Sequence, residues 1–117
     1  MAFKFEELRV WQRALDLTER VHNQTLSFPR EELYVLTSQI KRATDSIALN
    51  IAEGSTGQSD KEFARFLGIA LRSGIEVVSC IHIAKRRKLI NEDQFAHYYN
   101  ELTEIIKMIQ ALRNSLK

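Results

Sequence analysis

The sequence predicts an all-α chain folded as an antiparallel, up-down four-helix bundle, and three observations predict it. Apolar residues recur three and four apart through four long segments, the spacing that gathers them on one side of a helix. Four glycines and one proline in 117 residues leave too little turn chemistry for a β-sandwich, and a 44% hydrophobic share supplies a core instead of a disordered chain. The breaks between the segments are short, so successive helices are expected to lie side by side and run in opposite directions. Residues 1–117 read as a single domain of ordinary size.

The first helix is expected over about 7–26. Leu8, Trp11, Leu15, His22 and Leu26 share one side, with Val10, Ala14, Leu17 and Val21 beside them. Arg9, Arg13, Asp16 and Arg20 fall opposite, as on a helix that covers a core. Trp11 is expected to anchor this helix on its neighbour. Ser27-Phe28-Pro29 then breaks the pattern, because proline cannot continue a helix but suits the first position of the next one.

The second helix is expected over about 30–53, with Glu31 and Glu32 in its first turn where they complement the helix dipole. Leu33, Leu36, Ile40, Ala43, Ile47 and Ile51 form its apolar stripe. Gly54 is expected to end it in the left-handed conformation. The loop Ser55-Thr56-Gly57-Gln58 follows, and Ser59 with Glu62 reads as a capping box that opens the third helix.

That third helix is expected over about 60–88, with an unbroken seam of Phe63, Leu67, Ala70, Gly74, Val77, Ile81 and Ala84. Phe66, Ile69, Leu71, Ile75, Val78, Cys80 and Ile83 spread around the seam, more apolar surface than one bundle is expected to hide. Self-association into a homo-oligomer is one expected consequence; the alternative is a helix central to the packing that needs a broad apolar arc to touch two neighbours. Asn91 with Gln94 reads as a second capping box, and the fourth helix, about 92–116, repeats the rhythm through Phe95, Tyr98, Leu102, Ile105, Ile109, Leu112 and Leu116.

Several segments together resemble the 23S rRNA-intervening-sequence (four helix bundle) protein family. These are Phe5-Glu6-Glu7-Leu8-Arg9-Val10-Trp11-Gln12-Arg13-Ala14, Phe28-Pro29 with Glu32, Gln39-Ile40-Lys41-Arg42-Ala43, Ser46-Ile47, Asn50-Ile51-Ala52-Glu53-Gly54, Ser59-Asp60-Lys61-Glu62-Phe63, Phe66-Leu67 and Ile69-Ala70. The resemblance runs through nearly the whole chain in order and spacing. It implies a homopentameric ring of bundles around a central channel. It also implies a relation to the accessory variability protein of diversity-generating retroelements, a basic pentamer that binds nucleic acid and a reverse transcriptase. The chain departs from the family pattern with Ala48 in place of proline and Gly57-Gln58 in place of Gly-Arg. Arg72-Ser73-Gly74-Ile75-Glu76 stands where Gly-Ser-x-x-Glu is usual, so an arginine is lost from the loop and gained on the third helix.

Net charge is only +2, but it is unevenly spread. Over 60–88, Lys61, Arg65, Arg72, Lys85, Arg86, Arg87 and Lys88 outnumber Asp60, Glu62 and Glu76, a local surplus of four. Arg65, Arg72, Lys85, Arg86, Arg87 and Lys88 are therefore the candidate contacts to RNA or DNA phosphates. The plainer expectation is a solvated helix end whose cations complement the dipole. Aromatic residues are not expected to interleave these cations, so base stacking is not expected either. Gln39, Arg42, Ser46, Asn50 and Glu53 line a polar stripe of the second helix. They are expected to form a structural hydrogen-bond network around Arg42 and Glu53.

Enzymatic readings fare worse. A di-iron bundle needs two Glu-x-x-His pairs, and only Glu19 with His22 qualifies, since His82 and His97 follow Ser79 and Gln94. A helical ribonuclease of the higher-eukaryote-and-prokaryote nucleotide-binding type needs an arginine five to seven residues before a histidine, and none stands there. His97, Glu101 and Glu104 share a face that is expected to be solvated or paired and not to ligate a metal. Gly54 to Gly57 lacks a phosphate-loop ending, and Cys80 reads as a small buried hydrophobe. No catalytic residue, cofactor or metal is expected. A lone cysteine and a charged N-terminal stretch suggest a cytoplasmic protein, and no uninterrupted apolar run reaches the length of a membrane span. The expected partners are other copies of the chain, RNA or DNA, or a second protein.

Overall fold

The computed structural model describes residues 2–57 and 59–116; Gln58, placed by its sequence in the loop after helix two, lies outside them. Among the described residues there are four α-helices and no strand. They are α1 (Arg9–Thr25), α2 (Ser38–Ser55), α3 (Asp60–Arg86) and α4 (Glu92–Ser115). A 3-10 turn over Lys4–Glu7 precedes α1, and the edge of Phe5 meets Trp11 at 4.9 Å between ring centroids. The extended backbone of Leu8 separates that turn from α1, so the helix starts two residues later than its sequence suggests.

On α1 the buried face is Val10, Ala14, Leu17, Val21 and Thr25. This reverses the weight given to the two apolar stripes. His22 is exposed, Leu15 and Leu26 are 46% and 75% exposed, and Leu8 and Trp11 are half-buried. A helix wedged between two neighbours hides about half of its cylinder, and the stripe toward the axis wins.

The chain enters α2 less directly than expected. Pro29 is extended, Arg30–Glu32 form a 3-10 turn, and Leu33–Thr37 form a wide π-helical turn before regular α-helix begins. The Glu32 carboxylate accepts from the Leu36 amide at 3.3 Å, which caps the turn. The turn buries Leu36 but leaves Leu33, expected in the core, 47% exposed. Gly54 does not end the helix in a left-handed conformation; it lies within α2, and Ser55 and Thr56 follow it. Its absent side chain serves packing instead, because a Cβ there would stand 2.5 Å from Cβ of Phe66 on α3.

Ser59 opens α3 as expected, accepting from the Glu62 amide at 3.1 Å, while the Glu62 carboxylate turns to Arg65. All seven seam residues of α3 are buried. Among the described residues the left-handed one is Lys88, at φ 62°, just past the end of α3. Around it the Leu89 amide bonds the Ala84 carbonyl and the Lys88 amide bonds the Lys85 carbonyl, the paired bonds that close a Schellman motif. Asn91 and Gln94 form a full capping box at α4, each side chain bonding the other's backbone amide at 2.8 Å.

Each helix packs against two others, α1 on α2, α2 on α3, α3 on α4 and α4 back on α1, and α2 with α3 is the most extensive pair. The long axis of 43 Å matches a helix the length of α3 at about 1.5 Å per residue. By length and composition alone α3 is long and apolar enough to cross a membrane, although Arg72 and Glu76 interrupt its apolar run. In the bundle its seam is the shared core surface, with Leu67, Ala70, Val77 and Ala84 fully buried.

Candidate nucleic-acid interface

Six cations were expected to form one surface on the third helix, and the structure divides them into two groups. Arg65 bonds Glu62 at 2.8 Å and lies over the Phe66 ring at 4.6 Å. The bond to Glu62 raises the pKa of Arg65 further. Lys85 pairs with Glu92 at 3.2 Å, and Arg87 reaches both carboxylate oxygens of Glu32 at 2.9 and 3.1 Å. A phosphate would have to compete with a carboxylate at all three. Arg72, Arg86 and Lys88 are exposed and form no ion pair among the described residues. Arg86 and Arg87 flank a shallow groove with Ser79, His82 and Ile83. The positive surface is therefore narrower than six residues, and it is weighted toward the C-terminal end of α3.

An aromatic group, missed in reading the third helix by itself, stands beside that end. The His82 ring meets Phe95 edge-on at 4.9 Å and Tyr99 at 6.3 Å, and Phe95 stacks on Tyr99 at 5.7 Å with 29° between planes. The ammonium of Lys85 lies 4.4 Å from the Phe95 centroid. The expectation that no aromatic interleaves the cations fails on α3 itself, where Phe66 lies under Arg65, and fails again in space at this cluster. Phe95 and Tyr99, four residues apart on α4, are brought there by the short turn after Lys88.

The polar stripe of α2 meets α3, but not around the residues expected. Gln39 donates to Glu76, Ser46 bonds Ser73 at 2.8 Å, and Asn50 donates to the Ser46 carbonyl and hydroxyl at 2.8 and 2.9 Å. Arg42 and Glu53 are exposed and stand outside this network. The network joins helices within one subunit, with Ser73 itself only 8% exposed.

Across the bundle, Arg13 of α1 bonds Glu101 at 2.6 Å and Glu104 at 2.8 Å. Its pKa is raised, first by Glu104 and then by Glu101. His97 contacts Arg20, and the Tyr98 hydroxyl donates to Gln24 at 3.1 Å. The trio of His97, Glu101 and Glu104 is thus committed to arginines of α1. Among the described residues no group of three His, Cys, Asp or Glu side chains converges as a ligand set.

Beyond the cations, the surface is apolar in unusual places. Leu49 is 65% exposed on α2, and Ile69, Ile75 and Ile83 are exposed on α3. Cys80, expected within that surplus, is instead buried at 2% exposure.

A family model described as 23S rRNA-intervening sequence protein matches residues 6–111. Among solved structures, a protein of unknown function from the S23 ribosomal protein family of Bacteroides thetaiotaomicron is 27% identical, with a TM-score of 0.83 over 90% of this chain and 95% of that one. No curated protein is significantly similar.

Proposed function

We propose, from the premise that the chain belongs to the 23S rRNA-intervening sequence protein family, that it is a non-enzymatic, homo-oligomeric helical-bundle protein whose copies together present α3 to the backbone of RNA or DNA. In this reading the four helices run up and down in antiparallel order. The assembly is the pentamer that the family resemblance implies, related to the accessory variability protein of diversity-generating retroelements, and it works in the cytoplasm without cofactor or metal. The observation that carries it is the double character of α3. Arg72, Arg86 and Lys88 stand exposed and unmatched by carboxylates among the described residues, and Ile69, Ile75 and Ile83 stand exposed on or beside the same helix face. Apolar residues drive copies together, and assembly multiplies three modest cations into a field that one chain lacks.

The test is affinity for a structured RNA and a single-stranded DNA across a salt series. Phosphate contacts make log affinity fall linearly with log salt, with a slope of roughly 0.7 to 0.9 per contact. Replacing Arg72, Arg86 and Lys88 together by glutamine is expected to flatten that slope by about two to three. The same change at Arg65, Lys85 and Arg87 is expected to flatten it less, because those cations already spend their charge on Glu62, Glu92 and Glu32. Absence of binding at low salt would leave a second reading, an oligomer that serves structure or docks a protein partner. The carboxylate pairing of three of the six cations favours that alternative.

A further inference from the structure

We propose that Tyr99, backed by Phe95 and His82, is a stacking platform for the bases of single-stranded nucleic acid, an inference that rests on the backbone-binding reading above. The three rings form one cluster between α3 and α4. Phe95 is half-buried and carries Lys85 over its ring, so it is already covered. Tyr99 packs against Phe95 yet keeps 45% of its surface exposed, and its partner His82 is exposed as well.

A tyrosine held in place but left open is suited to receive a flat apolar ligand, because its position is fixed by Phe95 before anything binds. The charge nearby identifies the ligand. Arg86 shares a groove with His82, whose ring meets Tyr99, and Lys88 follows, so a ring system lying on Tyr99 would direct its attached phosphates toward two cations, unpaired among the described residues, one to two helical turns beyond His82. A flat base on an anionic backbone meets both requirements at once, and stacking of this kind is indifferent to base identity. A duplex keeps its bases stacked on each other and cannot offer one, so the platform selects unpaired strands.

Binding of the full-length protein to oligothymidylate and to an abasic oligomer of the same length separates the two contributions, since both strands carry the phosphates and only one carries bases. The intact protein is expected to hold oligothymidylate more tightly than the abasic strand. Tyr99→Ala is expected to weaken oligothymidylate by about 5- to 150-fold, the range of a lost base–aromatic stack, with abasic binding and salt slope unchanged. Tyr99→Phe keeps the ring and is expected to retain the preference, which controls for folding. Equal affinity for the two strands would overturn the platform while leaving backbone binding in place, whereas failure to bind either strand would overturn both. A Tyr99→Ala protein that changes assembly mass without changing base preference would assign the cluster to contact between copies and likewise overturn the proposal.

Discussion

Cys80 lies on α3 beside the buried seam with 2% of its surface exposed, and burial pushes its thiol from 9.0 up to about 11, with the charge of Glu76 adding in the same direction. The folded chain therefore keeps the proton at pH values where the unfolded chain has released it. Stability from this residue is complete below about 9 and is lost as pH rises toward about 11. Tyr98, also raised by burial, acts in the same direction. Urea midpoints measured across the alkaline range should fall, and Cys80→Ala should make that fall shallower; an identical slope in the variant would remove the thiol from the account. At this scale the sequence was informative about character and silent about place. Its spacing identified Cys80 as an apolar-arc residue, but could not say that this part of the arc faces α2 and the core while Ile75 and Ile83 face outward. Periodicity gives the direction of a side chain from its own axis, and only the neighbours decide which directions are covered.

Elements were more legible than residues because their signals are local. The capping box of Asn91 and Gln94, the seam of α3 and the break at Pro29 all depend on groups within four residues of one another, and all appear. The role of Gly54 depends on a facing helix and escaped the sequence, as did the π-helical turn at Leu33–Thr37. Gly54 provides a sharp contrast with Gly68. A methyl group at Gly54 would meet Phe66 Cβ at 2.5 Å, an atom that moves only with the α3 backbone. At Gly68 the nearest atom would be the Arg113 guanidinium at 3.4 Å, the mobile end of a long side chain. Gly54→Ala should thus force α2 and α3 apart and cost about 1–3 kcal/mol. Gly68→Ala should stabilise by roughly 0.5–1 kcal/mol, the usual gain when alanine replaces glycine within a helix. Thermal melting of the two variants decides the matter, and similar shifts in both would show that α2 and α3 do not meet as closely as described.

For the whole molecule the decisive quantity is apolar surface left uncovered. Ser46 bonds Ser73, so the stripe of α2 that carries Leu49, three residues along, lies beside the stripe of α3 that carries Ile69, four residues back. Leu49 is 65% exposed, Ile69 is 38% exposed, and Phe66 adds a half-buried ring one turn away. This ridge is apolar at its centre with Arg42, Arg72 and Glu53 around it, the arrangement of an interface core within a polar rim. Ile75, another exposed apolar residue, lies on the α4 side of α3, one heptad after Gly68, which faces Arg113 of α4, so the two can be tested separately. A lysine at Leu49 or Ile69 places a charge where a second copy would desolvate it, and costs nothing in a subunit whose own core does not include that surface. Leu49→Lys and Ile69→Lys should each shift the light-scattering mass of the protein toward a single chain, with helical content by circular dichroism unchanged. Ile75→Lys should leave the mass alone if the α2–α3 ridge is the contact, and reduce it if the α4 side is. A mass equal to one chain for the unaltered protein at micromolar concentration would mean that the ridge has no second copy to cover it, and the cations of α3 would then act three at a time and not as a shared field.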